Sequence, residues 1–331
     1  MTPSPAGRTV LSVVGATAAL GAATLAYSLI EARCPVLRRI DVPVLAPDEK
    51  PLTVLHLADL HLTDRTEARV TWVRHLARLR PDVVVNTGDN LSLASGLEPL
   101  RRALEPLTDL PGAFVMGDHD YRTTVFRLPT RYLYRDPRGA ASRVREEDIE
   151  ALPWEEIRDL QAAGGWADLT NRRGSIVVRG RCIELVGVDD PHANRDVFPD
   201  PEDAASVGSA GSATSLPAIR DREGRVLRLG LTHAPYRRVL EAMCTDDVDL
   251  VLAGHTHGGQ LCVPGVGALV TNCDLDRGRA SGLSQWPGRL GDPRAADHMY
   301  LHVSAGLGTS PFTPVRLACR PEATLLRLLP V

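Results

Sequence analysis

Five times in this chain a short apolar run ends on an aspartate or a histidine, and that repeated junction constrains the fold more than any other feature. The runs are TVLHLADLH, reaching Asp59 and His61; VVVNTGDN, reaching Asp89; FVMGDHD, reaching Asp118, His119 and Asp120; LGLTHAP, reaching His233; and LVLAGHTHGGQ, reaching His255 and His257. Short runs that are apolar throughout are expected of strands covered on both faces, as in an α/β core. Ligand sites in such sheets lie beyond the carboxyl ends of the strands, so the five ends should converge. Residues two apart in extended chain point the same way, which would send Asp59 with His61, and His255 with His257, toward one point.

The donor set is carboxylate and imidazole without thiolate, which suits Mn, Fe or Zn rather than a structural zinc or a calcium site. Each motif alone is weak, because Asp-x-His arises by chance and a lone Gly-Asp is an ordinary turn signal. The information lies in their order, their strand context and the glycines that let backbone and ligand come close. Of ten histidines, five fall at these junctions, so imidazole is concentrated where a site is expected. Among the others, His56 is expected on its strand, His75 on a helix, and His298 and His302 beside a late strand. His192, in GVDDPH, is open between packing and lining the site.

Taken in order, Asp-x-His, Gly-Asp, Gly-Asp-His-Asp, a lone His and Gly-His-x-His resemble the signature of the calcineurin-like metallophosphoesterases, over roughly residues 51 to 331. The stretches GVDDPH (187 to 192), GHTHGGQ (254 to 260) and SAGLGTSPFTPVR (304 to 316) are similar to a membrane-associated bacterial branch that includes UDP-diacylglucosamine pyrophosphatase-like proteins. The resemblance implies a four-layer sandwich of two packed mixed β-sheets flanked by helices. It implies two divalent metal ions, with Asp59, His61 and His257 on the first, Asp89 bridging, and Asp118, His233 and His255 on the second. It also implies that His119 is not a ligand but assists the phosphoryl oxygens or the leaving group, oriented by Asp120. The reaction implied is in-line attack of water on phosphorus beside two metals about 3.5–4 Å apart.

One position departs from the pattern. Where the family has Asn, this chain has Asp118. Aspartate still offers an oxygen to a metal, but it adds a full negative charge that would repel an anionic substrate. Two readings follow: an active phosphohydrolase acting on a phosphomonoester, phosphodiester or pyrophosphate bond, or a metal-binding, catalytically weak scaffold anchored to the membrane.

The remaining chain sets the context. From Val10 to Ile30 there is no charged residue, and about 20 such residues span a hydrocarbon core as a helix. Glu31-Ala-Arg-Cys follows instead of a small-residue cleavage site, which favours a retained anchor over residues 1–31. Arg8 stands on one side and Arg33, Arg38 and Arg39 on the other, a near tie that leans to a cytoplasmic catalytic domain. Residues 32–50 hold three prolines and are expected as a stalk, leaving 51–331 as the catalytic domain with a loop rich in Ser, Gly and Ala over 199–219. Net charge is −3, so there is no global basic field of the kind nucleic-acid binders show. The expected partners are therefore a phosphoester substrate and the membrane. Seven arginines between Arg122 and Arg145, interleaved with aromatics, are either a solvated excursion or a basic rim for lipid headgroups. The six cysteines, none in a CxxC pair, decide nothing.

Overall fold

The computed structural model describes residues 5–126, 149–201, 226–289 and 299–331. The arginine-rich stretch from Arg127 onward, most of the 199–219 loop, and His298 lie outside the described residues.

A long helix, α1 (Pro5–Glu31), comes first, followed by strand β1 (Val36–Leu45) and strand β2 (Leu52–Leu57). Helix α2 (Glu67–Leu76) leads to β3 (Val83–Asn86), and α3 (Leu97–Leu104) to β4 (Gly112–Phe114). The short α4 (Asp118–Tyr121) and then α5 (Trp154–Ala163) precede β5 (Ala167–Asp168). The hairpin β6 (Arg172–Val178) and β7 (Arg181–Gly187) opens the second half, with β8 (Arg228–Thr232), α6 (Arg237–Thr245) and β9 (Leu250–Ala253). A small hairpin, β10 (Cys262–Val263) and β11 (Gly267–Ala268), precedes β12 (Gly282–Trp286), β13 (Met299–Val303) and β14 (Glu322–Pro330).

Two six-stranded mixed sheets result, in the orders β1-β14-β2-β3-β4-β5 and β12-β13-β9-β8-β7-β6. In each, a parallel centre carries the site-bearing strands: β2, β3 and β4 in the first, β8 and β9 in the second. The apolar runs supply both faces of each sheet. Val83 and Val85 face Leu229, Leu231, Leu250 and Leu252 across the space between the sheets, while Val84 and Phe114 face outward. There they meet Val70 and Val73 of α2, Leu100 and Leu104 of α3, and Ile157 of α5. On the far side, Val251 and Ala253 pack against Val239, Leu240 and Met243 of α6. Helices, sheet, sheet and helix make the four layers that the resemblance implies.

Residues 32–50 are not the stalk the prolines suggest. β1 pairs in parallel with β14 from Val36↔Glu322 to Leu45↔Pro330, and Val42, Val44 and Leu45 are core residues. Proline is tolerated here because β1 is an edge strand, where a missing N–H costs no internal ladder bond. The period-two pattern Ile40, Val42, Val44 is the signal of this strand in the sequence. The end of α1 is likewise seated on the domain. The Glu31 carboxylate accepts the N–H groups of Ala318 and Cys319, at 3.0 and 2.8 Å, and the Arg316 N–H donates to Ser28 O at 3.0 Å. Among the described residues, Ser12–Glu31 is the one helix long and apolar enough to cross a membrane.

Between the sheets, His56 of β2 and His302 of β13 meet Nδ1 to Nδ1 at 3.0 Å, and His56 Nε2 lies 3.0 Å from Thr87 Oγ1. Burial pushes His302 down to about 3, and burial followed by its neighbour His302 lowers His56 well below the ordinary imidazole value. Both are neutral in the fold and charge on unfolding, so the unfolded chain binds more protons as pH falls below about 6.5. Stability present at neutral pH is then lost on acidification, by up to about 1.4 kcal/mol per pH unit for each such group. Urea unfolding of the detergent-solubilised protein between pH 7 and 5 should show this slope, and His302→Met should make it shallower by about one group's share.

Candidate metal centre

The loops after β2, β3, β8 and β9 come together at one end of the sandwich. Asp59, His61 and His257 place ligand atoms within 4.8 Å of one another, and so do Asp59, Asp89 and His233. Asp59 belongs to both groups. His61 Nε2 lies 3.5 Å from Asp89 Oδ2, His233 Nε2 3.4 Å from the same oxygen, and His61 and His257 face each other Nε2 to Nε2 at 3.3 Å.

The backbone reaches this convergence differently from the extended alternation expected. Asp59 (φ 52°), His61 (43°), Asp89 (56°), His255 (68°) and His257 (49°) all occupy the left-handed region. Each costs on the order of 1–3 kcal/mol for a side-chain-bearing residue. The surrounding structure holds them there: Asp59 N–H donates to Gly88 O, and His61 N–H to Asp89 O, both at 3.0 Å. Two glycines close on Asp59 from other loops. A Cβ at Gly254 would sit 2.7 Å from Asp59 Oδ2, and one at Gly306 2.6 Å from Asp59 Cβ.

Contacts on the far side of each ring fix its orientation. His233 Nδ1–H donates to Thr87 O at 2.7 Å, while His257 Nδ1 lies 3.2 Å from both Gly308 O, an acceptor, and Arg316 Nη2, a donor. His61 Nδ1 is engaged by Ser92 Oγ at 3.0 Å. All three present Nε2 to the centre, as outer hydrogen bonds prepare metal-binding histidines. His255 is turned the other way: its Nε2–H donates to Asn272 O at 3.1 Å, leaving Nδ1 as its donor atom, and its ring packs 5.2 Å from that of His233.

These residues fit divalent metal. His233 Nε2 is buried and makes no well-formed hydrogen bond, its nearest polar neighbour being Asp89 Oδ2 at 3.4 Å, and a cation between the two would satisfy both. Burial raises the Asp59 carboxyl to about 7, a bias that a neighbouring cation would reverse. Burial alone would also raise Asp89, yet His233 and His119 hold it well below the ordinary carboxylate range. Burial lowers His61 to about 3 and His255 to about 4, keeping both neutral and able to ligate.

Asp118 and His255 stand beside these two groups rather than within them. The Asp118 carboxylate is met by Arg122 Nε at 2.5 Å, one helical turn on. The charge that distinguishes this chain from the family pattern is therefore paired with a cation from its own sequence.

Asp120 differs from expectation. Its carboxylate accepts the backbone N–H groups of Gly117, Asp89 and Asn90 at 2.9, 3.0 and 2.8 Å, so it ties the third junction to the second. The His119 ring is steadied instead by Arg122 O and Thr124 Oγ1, each 3.3 Å from Nδ1. The His119 N–H donates to Asp89 Oδ1 at 2.8 Å, and its ring centroid is 5.3 Å from that of His61.

Two participants are not evident from the motifs. Arg316 is fully buried and donates to Gly306 O, Gly308 O and His257 O at 3.2, 2.7 and 3.2 Å, clamping the loop that faces His257. Its sequence signal is its place as the lone charge ending SAGLGTSPFTPVR (304 to 316). His192 packs its ring 4.5 Å from His255 with Nδ1 3.0 Å from Tyr236 Oη, while Asp190 accepts the His192 and Ala193 N–H groups at 3.1 and 2.7 Å.

The sequence model of calcineurin-like phosphoesterases matches residues 52–259, which takes in all five junctions and more than half of the chain. The chain belongs to the calcineurin-like phosphoesterase family. It is 27% identical over 329 residues to a Bos taurus transmembrane protein with metallophosphoesterase domain, covering 97% of this chain and 60% of that protein. The chain thus spans about three fifths of that relative's length. It is 26% identical over 288 residues to the phosphodiesterase YaeI of Escherichia coli, covering 84% of this chain and 83% of that one. Among solved structures, a dimetal phosphatase from Danio rerio aligns with a TM-score of 0.36 at 12% identity, over 77% of this chain and 88% of that one. As in this family generally, a dinuclear divalent centre is what the converging carboxylates and imidazoles are suited to hold.

Proposed function

We propose that this calcineurin-like phosphoesterase hydrolyses a phosphodiester or pyrophosphate bond in a membrane-associated substrate, using two divalent metals. The observation that carries the reading is the convergence of Asp59, Asp89 and three Nε2-presenting histidines on one buried point. The name of the Escherichia coli relative makes a phosphodiester the first bond to test. When bound, the metals would supply Lewis-acid activation and neutralise the phosphoryl charge.

The side chains supply the rest. Asp59, His61 and His257 are suited to one ion and His233, with Asp118 and His255 beside it, to the other, with Asp89 between. The backbone tie to Asp89 and the Nδ1 contacts hold the His119 ring beside His61, where a proton on Nε2 can pass to the departing oxygen. The weak-scaffold reading rests on the added charge of Asp118, and its pairing with Arg122 favours the active reading.

The test is turnover by the full chain, reconstituted with Mn²⁺, of aryl phosphomonoesters, aryl phosphodiesters and a nucleotide-diphosphate lipid. Diester or pyrophosphate cleavage above the monoester rate is expected. Asp118→Asn should change the rate by less than about tenfold, whereas Arg122→Ala should slow it more, because an unpaired buried charge is costlier than none. Metal-loaded protein that turns over none of the three, with Asp118→Asn restoring activity, would establish the scaffold reading.

A further inference from the structure

Two long chargeless stretches outside α1 flank the metal centre. One runs from Gly258 to Cys273 and carries β10 and β11; the other runs from Val303 to Val315. Residues 303–309 of the second are buried, but its end at 310–315 and the hairpin of the first are not. Val266, at the tip of the hairpin, is 74% exposed and Leu261 42%; Phe312 is 46% exposed and stands edge-on to Phe126, itself 57% exposed. Val263 and Leu269 are exposed on the same hairpin. A cluster of exposed apolar side chains, here bordered by Arg277 where its guanidinium reaches Leu269 O at 3.3 Å, marks a contact with a partner or a membrane.

Its neighbour identifies the occupant. Leu261 forms a parallel bridge with Leu317, and Gln260 Nε2 donates to Thr313 O and Val315 O at 2.9 and 3.1 Å, so the hairpin and the 310–317 loop are one surface. That loop is also where α1 is seated, through Arg316 N–H to Ser28 O and the Glu31 carboxylate to Ala318 and Cys319. The apolar surface therefore begins where the membrane-crossing candidate ends. We propose that the 261–269 hairpin and the 310–315 loop are a second membrane-contact surface, seated in the lipid interface around the base of α1. This rests on α1 being the membrane segment.

The consequence concerns the site. Leu261 is four positions beyond His257, which keeps the two within about 14 Å, and Arg316 joins the seat of α1 to the loop facing His257. With the hairpin in the interface, the His257 side of the metal centre is held against the bilayer surface. Phosphoesters of membrane amphiphiles could then be met at the interface without leaving it.

The test uses the full chain in phosphatidylcholine nanodiscs with Val266→Trp, and separately Leu25→Trp on α1 as an insertion control. Both positions are exposed, so the fold should tolerate them. The tryptophan emission that Val266→Trp adds to the parent should fall about twofold or more with lipids brominated near the headgroup, where interfacial side chains reside, and resist aqueous iodide. If the emission added by Leu25→Trp is quenched by brominated lipid and that added by Val266→Trp is not, the second contact is overturned while the anchor stands. Protection of the Val266→Trp variant from iodide that appears only at high protein concentration would overturn it in favour of self-association. If neither variant is quenched by lipid, the anchor and the inference fall together, and neither result depends on phosphoesterase turnover.

Discussion

Replacing Asp89 with asparagine should strip the protein of bound metal and of turnover together. Asp89 is the carboxylate that two imidazoles share: His61 Nε2 and His233 Nε2 approach its Oδ2 at 3.5 and 3.4 Å, and its Oδ1 accepts the His119 N–H at 2.8 Å. Asparagine keeps the shape and an oxygen for that N–H, so the loop should survive. What it removes is the negative charge that makes a buried, histidine-lined point attractive to a cation. Losing an outer-shell partner of a metal typically costs roughly 10–100-fold in affinity or activity, and loss of a shared inner carboxylate should exceed that. Elemental analysis of the purified variant should show fewer than two metals per chain, with aryl phosphodiester turnover near background. Two retained metals would rule out a bridging role for Asp89.

The second large effect separates metal binding from proton transfer. His119→Ala should leave the metal content at the parent level and lower turnover by about 10²–10⁴-fold, the usual contribution of a positioned general acid. Its ring hydrogen bonds, to Arg122 O and Thr124 Oγ1, come from outside the two converging groups, and its edge contact with His61 leaves the His61 bond to Ser92 in place, so removing it should not disturb them. The loss should be larger for an alkyl leaving group than for nitrophenol, which departs without a proton. Equal losses for both would assign His119 to the phosphoryl oxygens instead.

Much of this was legible in the sequence because strands and their ends are local. A run such as VVVN declares a strand covered on both faces, and an Asp or His at its carboxyl end is placed near the site by the parallel order alone. Residues 36–45 read as a stalk because their prolines are harmless only at a sheet edge, and which strand is an edge is a property of the assembled sheet. The role of Asp120 escapes the motif for a related reason. Two of the three N–H groups that fill its acceptors lie 30 or so residues away in sequence, a bond pattern no local motif announces.

The sequence by itself therefore determined the chemistry: which donor types are present, in what order, and at the ends of which strands. Tertiary structure alone decided how they are held. It put five site residues into left-handed backbone, turned His233 Nε2 to the centre through a carbonyl on another loop, paired Asp118 with Arg122, and brought Arg316 from the far end of the chain to clamp the loop beside His257. It also seated α1 on the same loop. Residue type is written in the chain, whereas the partner that fixes a tautomer or neutralises a charge is supplied by whatever packing brings within about 3 Å.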